Sequence, residues 1–147
     1  MWPFKTKHFS KTEEEQIISA IKAAEHSTSG EIRFYVESKC DGDAYERGVA
    51  IFHHLQLHEK NHRNGVLIYL AVKDKKFAIV GDEGIHTKVT DVFWEDVRSK
   101  MLDIFKTGNL VAGVCEGIKL VGEKMKESFP IDPNNTKGYT DKINHGR

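Results

Sequence analysis

The stretch that decides the fold is Gly65-Val66-Leu67-Ile68-Tyr69-Leu70-Ala71-Val72, followed by Lys73-Asp74-Lys75-Lys76 and then Phe77-Ala78-Ile79-Val80. Val66–Val72 is apolar on both faces, the pattern of a central strand covered by two layers. Lys73–Lys76 is short enough for a hairpin turn, so Phe77–Val80 returns antiparallel. Gly81-Asp82-Glu83-Gly84 ends that second run.

Upstream, Ser10-Lys11-Thr12-Glu13 is a capping box, and Glu13–Glu15 place acids at the positive end of a helix dipole. Ile17, Ile18, Ile21 and Ala24 recur at helical spacing, which predicts a first helix over about 11–26. Glu31–Glu37 alternates, with Ile32, Phe34 and Val36 on one face: a half-buried strand. Asp43 opens a second helix carrying Tyr45, Val49, Phe52 and Leu55 to about Leu57. Downstream, Phe93, Val97, Met101 and Phe105 mark a third helix over about 90–105. Asn109 caps a fourth, with Val111, Val114, Ile118, Val121 and Met125 as its stripe and Pro130 as its end.

The order α-β-α-β-β-α-α predicts a three-layer αβα sandwich: a small mixed sheet of three to four strands flanked by about four helices. One domain over 1–131 follows, with 132–147 a polar tail that lacks apolar anchors and is expected to be flexible. The 147 residues suffice for a core without a staple. Lys plus Arg and Asp plus Glu each total 22, and this balance excludes a generally basic nucleic-acid binder. Cys40 and Cys115 are too few for a disulfide framework and point to a reducing compartment. No run reaches the ~18 apolar residues of a membrane span, and the start has no signal-peptide h-region. A cytoplasmic protein is expected.

Five segments, in order, resemble the TPM domain family, named after thylakoid-lumen and photosystem-repair proteins. They are Ser29-Gly30-Glu31-Ile32-Arg33, Arg63-Asn64-Gly65-Val66-Leu67-Ile68-Tyr69, Gly81-Asp82-Glu83-Gly84-Ile85, Phe93-Trp94 and Phe105-Lys106-Thr107-Gly108. The resemblance covers about residues 10–130. It implies a Rossmann-like αβα sandwich, a fold reported as an acid phosphatase in plant thylakoids, and divalent-cation binding in some members. Many relatives carry a signal peptide or membrane helix; this sequence is similar to a stand-alone, bacterial-type member.

Two acidic loops are the first candidate for chemistry. Asp82 and Glu83 lie between glycines at one strand end, and Asp41-Gly42-Asp43 follows another. Ca²⁺ takes six to eight oxygens, which Gly-containing acidic loops supply. As ordinary structure, both loops are turns, for which Asp and Gly are suited by local hydrogen bonding and backbone freedom. Two strand orders are open. If the first two strands are parallel neighbours, Asp82 and Glu83 go to the edge shared by Glu31 and Asn64, away from Asp41 and Asp43. If the first lies parallel to the third, all four acids converge and need a metal or protons to neutralise them. Counted from Asp41, the spacing does not match an EF-hand.

His58-Glu59-Lys60-Asn61-His62 matches H-E-x-x-H, but a zincin needs that motif on a helix. No apolar stripe holds it in one, so it reads as a helix end with solvated histidines. Asp41-Gly42-Asp43 superficially resembles the Asp-x-Asp of haloacid-dehalogenase-type phosphatases, yet no apolar strand runs directly into Asp41. Arg63 and Asn64 either bind a phosphate or anchor a loop, Arg63 clamping Glu31 or Asp82. Cys40 has no paired Cys or cationic helix start to activate it. Glycine-rich nucleotide-binding motifs are absent.

The expectation is a divalent-cation site, Ca²⁺ foremost, formed by Asp82, Glu83, Asp41 and Asp43 with Glu31 at the edge. Its role is structural or regulatory. Arg63, Asn64 and His58 stand beside it, and catalytic residues are not assigned. The alternatives are a metal-assisted acid phosphatase acting on phosphomonoesters and a protein-interaction module without catalysis. Neither nucleic acid nor a membrane is an expected partner.

Overall fold

Ser10 closes its capping box: its Oγ accepts from the Glu13 N–H at 3.1 Å, and Glu13 Oε1 accepts from the Ser10 N–H at 2.8 Å. The helix it starts, α1 (Lys11–Glu25), buries Ile17 and Ile21. The computed structural model describes residues 8–59, 62–131 and 143–146. The further elements are β1 (Glu31–Glu37), α2 (Ala44–His54), a 3₁₀ turn (Leu57–Glu59), β2 (Gly65–Ala71), β3 (Lys76–Gly81), the one-turn α3 (Glu83–His86), α4 (Asp91–Phe105), α5 (Leu110–Ser128) and β4 (Ile143–His145).

The sheet runs β3-β2-β1-β4. β1 is parallel to β2, with Glu31 opposite Gly65 and Glu37 opposite Ala71; β3 returns antiparallel beside β2. Every residue of β2 is buried, as its unbroken apolar run requires. Ile32, Phe34, Val36, Val66, Ile68 and Leu70 point into one core with α1, α4 and α5. Leu67, Tyr69 and Ala71 point the other way, onto Ile51 and Phe52 of α2 and Leu57 of the 3₁₀ turn. The expected three-layer αβα sandwich with a mixed sheet is the observed one.

Two details differ from expectation. The region read as a flexible tail supplies β4, which pairs in parallel with β1 through Phe34–Ile143, Tyr35–Asn144 and Val36–His145. Ile143 is the apolar residue that seats it, buried against the core. One apolar residue in a three-residue strand is too little pattern to find by periodicity. Residues 132–142 and 147 lie outside the described residues. The second detail is α3, a single helical turn capped by Asp82, where the sequence predicts only a strand end and an acidic loop. No helix among the described residues is long and apolar enough to cross a membrane.

α2 packs mainly over β3 and β2 and meets β1 at its end, where Arg47 reaches Glu37. Gly48 permits the approach: a Cβ there would lie 2.9 Å from Val80 Cγ2. β1 therefore keeps the side chains it turns to this layer, Glu31, Arg33 and Tyr35, only partly buried, while Glu37 is buried at its end. This offset gives the sheet its two polar ends.

Candidate functional site

At the amino end of the parallel strands, Arg63 forms a clamp. Its Nε donates to Asp82 Oδ2 and its Nη2 to Asp82 Oδ1, both at 2.8 Å, and its Nη1 reaches Glu83 Oε1 at 3.1 Å. Asp82 Oδ1 also accepts from the Glu83 N–H at 2.8 Å. Arg63 adopts φ 50°, left-handed backbone, and its carbonyl accepts from the Gly84 N–H at 2.9 Å. A Cβ on Gly84 would lie 2.5 Å from that carbonyl oxygen, so glycine is required for the loops to close. Burial pushes the Asp82 carboxyl up, but the hydrogen bonds from Arg63 and the Glu83 N–H outweigh it and hold the group below its ordinary range. Asn64, buried beside the clamp, donates to Ser29 Oγ at 3.2 Å. Glu31 pairs with Arg33 at 2.9 Å on the same edge.

Asp41 and Asp43 are elsewhere. The strand order is the one that separates the acidic loops: Asp82 follows β3 beside Gly65, whereas Asp41 follows Glu37 at the other end. Seven residues of β1 lie between, roughly 20 Å of strand. The four-acid set expected for calcium is therefore not brought together. Three of its members have other partners. Asp43 accepts from the Glu46 N–H at 2.9 Å as the cap of α2, while Asp82 and Glu83 belong to Arg63. In the Asp41 loop, Lys76 Nζ donates to the carbonyls of Cys40 at 3.0 Å and Gly42 at 2.7 Å. The Lys76 side-chain ammonium thus occupies two carbonyl oxygens of that loop. Among the described residues, no group of three or more His, Cys, Asp and Glu is placed to hold a metal.

The described residues of the H-E-x-x-H segment are not in the α-helix that zinc chemistry needs. His58 and Glu59 end a three-residue 3₁₀ turn, His62 is an exposed turn residue, and Lys60 and Asn61 lie outside the described residues. The His58 ring packs 4.6 Å from that of His53, across the end of α2.

The carboxyl end of the parallel strands holds a site that sequence reasoning missed. Glu37 is buried and accepts from Arg47 Nε at 2.9 Å, from Arg47 Nη2 at 3.0 Å and from the Tyr69 hydroxyl. Burial raises the Glu37 carboxyl, and the bonds from Arg47 and Tyr69 more than reverse that, so it stays ionised. The same pairing raises the already strong basicity of Arg47. Tyr69 is pushed up by burial and by its bonds to Glu37 and Cys40, and Tyr35 by burial and the charge of Glu37. Gly146, just past β4, closes the far side with its N–H on Val36 O at 2.6 Å. β1 is flanked by parallel strands on both sides, one reached through α2 and the other from the opposite layer. This is the switch point at which open α/β sheets bind ligands. The only traces of it in the sequence are an acid ending a strand and one hydroxyl in an otherwise apolar central strand, each ordinary by itself.

A mixed four-stranded sheet between helical layers, with an ion pair locking each end, defines the chain as a small αβα-sandwich domain. A TPM domain model (TPM_phosphatase) matches residues 5–124, and the chain belongs to the TPM domain family. BA42 protein from the psychrophilic bacterium Bizionia argentinensis is similar to it at 36% identity and a TM-score of 0.88, over 99% of this chain and 100% of that one. The N-terminal domain of the Corynebacterium glutamicum protein cg2496 shares the fold at 15% identity and a TM-score of 0.67, over 91% of this chain and 84% of that one. So does the N-terminal domain of a P. gingivalis protein, at 20% identity and 0.65, over 82% and 78%. No curated protein matches.

Proposed function

We propose that the chain hydrolyses phosphomonoesters, with Arg47 as the group that holds the phosphoryl oxygens. The observation that carries this reading is the Glu37–Arg47 pair at the switch point. Glu37 engages two of the five guanidinium N–H donors and fixes the plane of the group. The remaining donors belong to a side chain that is 42% exposed. A planar, permanently charged fork of this kind suits phosphate oxygens. Membership in a family whose model carries the phosphatase name supports the same class of substrate.

The acid-phosphatase reading thus moves from Arg63, which is engaged by two carboxylates, to Arg47. Glu37 is a positioning residue here, since its oxygens face Arg47 and Tyr69. The acidic loops do not fit a cation cage as they stand, and no step is assigned to a metal held by them.

The test is hydrolysis of p-nitrophenyl phosphate from pH 4 to 8, in EDTA and with Ca²⁺, Mg²⁺ or Mn²⁺. Arg47→Ala should lower kcat/KM by about a hundredfold, the scale of losing one preorganised donor. Arg47→Lys should recover part of the loss, and Arg63→Ala should leave the rate of the folded fraction unchanged. Equal turnover in wild type and Arg47→Ala, or no turnover under any of these conditions, would sink the reading.

A further inference from the structure

The hydrogen bond from the Asp82 N–H to Gly65 O, at 3.0 Å, fixes the phase of the antiparallel β2–β3 ladder. In the observed register, Val80 faces Leu67, Ala78 faces Tyr69 and Lys76 faces Ala71. Hydrogen-bonded pairs alternate along such a ladder, so these three residues bond to β2. Phe77, Ile79 and Gly81 turn their N–H and C=O groups outward. β3 is an edge strand, and among the described residues nothing bonds to those outward groups.

This edge is not flat and open. It forms the floor of a groove of about 390 Å³ between α2 and α4. Tyr45 stands on the α2 side, and Trp94 on the α4 side covers Gly81, where a Cβ would lie 3.0 Å from the indole. Unpaired edges invite another strand, and walls of this kind select a single extended segment over an open sheet. The charges on the walls say which segment. Asp43, Asp91 and Glu95 line the groove against Arg98, whose guanidinium already lies over the Phe77 ring at 5.5 Å, and His86.

We propose that the β3 edge docks an extended, lysine- or arginine-rich segment of a partner protein as a fifth strand. The backbone groups of Phe77, Ile79 and Gly81 supply the ladder. Asp91 and Glu95 meet the cationic side chains that alternate toward α4.

The probe is a capped Lys-Val-Lys-Val-Lys peptide, added to ¹⁵N-labelled protein, with its Glu-Val counterpart as control. At ten times its Kd, the lysine peptide should slow exchange of the Phe77, Ile79 and Gly81 amides by about tenfold. The Ala78 and Val80 amides, already in the β2 ladder, should change little. Asp91→Lys with Glu95→Lys should weaken the peptide by about tenfold or more. Both positions are exposed, so folding should be preserved. Ile79→Pro removes an outward N–H without removing a ladder bond and should abolish the slowing at Phe77 and Gly81.

Three results would overturn the proposal: no slowing at millimolar peptide, equal slowing by the glutamate peptide, or changes centred elsewhere. Protection of the three amides that rises with protein concentration before any peptide is added would assign the edge to a second copy, and would also overturn it.

Discussion

Arg63 meets Asp82 edge-on, with two parallel N–H···O bonds of 2.8 Å from Nε and Nη2. The pair joins the approach to β2 to the exit from β3, two segments brought side by side by the hairpin between them. It turns an acidic loop that looks like a cation site into a crosslink.

Asp82→Asn should therefore lower Tm by roughly 5 °C, because the charged clamp is lost and the amide cannot accept both Arg63 bonds. Any Tm rise with Ca²⁺ should be the same size in this variant as in wild type. Differential scanning calorimetry of metal-stripped protein measures both. A calcium response that vanishes in Asp82→Asn would restore the loop as a metal site.

Acid should destabilise the fold through the same groups. Asp82 and Glu37 both have carboxyls held below their ordinary values in the folded protein. Their contribution is complete above the unfolded-state values, about 4, and is lost as pH falls through the lower folded-state values. Urea unfolding between pH 6 and 2 should show stability falling below about pH 4, with a shallower fall in Asp82→Asn.

Alkali should act through Tyr69 and Tyr35, whose phenols are raised in the folded state. Their contribution is intact below the unfolded-state value of about 10 and declines above it, where only the unfolded chain releases the protons. Absorbance at 295 nm should show Tyr35 and Tyr69 ionising together with unfolding. Tyr69→Phe should remove one of these ionisations and cost about 1.5–3 kcal/mol at neutral pH, the range for a hydrogen bond to a charged group.

Gly84→Ala should cost about 1–3 kcal/mol by overpacking against the His62 and Arg63 carbonyls, which are backbone and cannot move aside. Gly30→Ala should cost less: its closest neighbour is Met125 Cε, the free end of an unbranched side chain. Paired urea midpoints decide the order, and a reversed order would contradict the loop closure described for Arg63.

Much of the fold was legible because it is written in local pattern. The run from Gly65 to Ala71, apolar on both faces, could be satisfied only between two layers. Ser10 with Glu13 placed the start of α1, and the stripe from Val111 to Met125 defined α5. The site was legible in part. Arg63 with Asp82 was one of the two clamps that the sequence allowed. Glu37, Arg47 and Tyr69 were hidden because they are separated in the chain, and each looks ordinary in its own element: an alternating polar residue, an exposed helix residue, an aromatic in a core strand.

The sequence by itself determined the identities of the layers and the hairpin of β2 and β3, since hydrophobic periodicity and turn chemistry act over a few residues. Tertiary structure decided the strand order, and with it the fate of the acids. Parallel pairing of β1 with β2 sends Asp82 to one end of the sheet and leaves Asp41 and Asp43 at the other. It also brought Ile143 back beside β1 and set Glu37 under Arg47. Those outcomes depend on which strands become neighbours, a choice made by burying both faces of the sheet at once and not by any single segment.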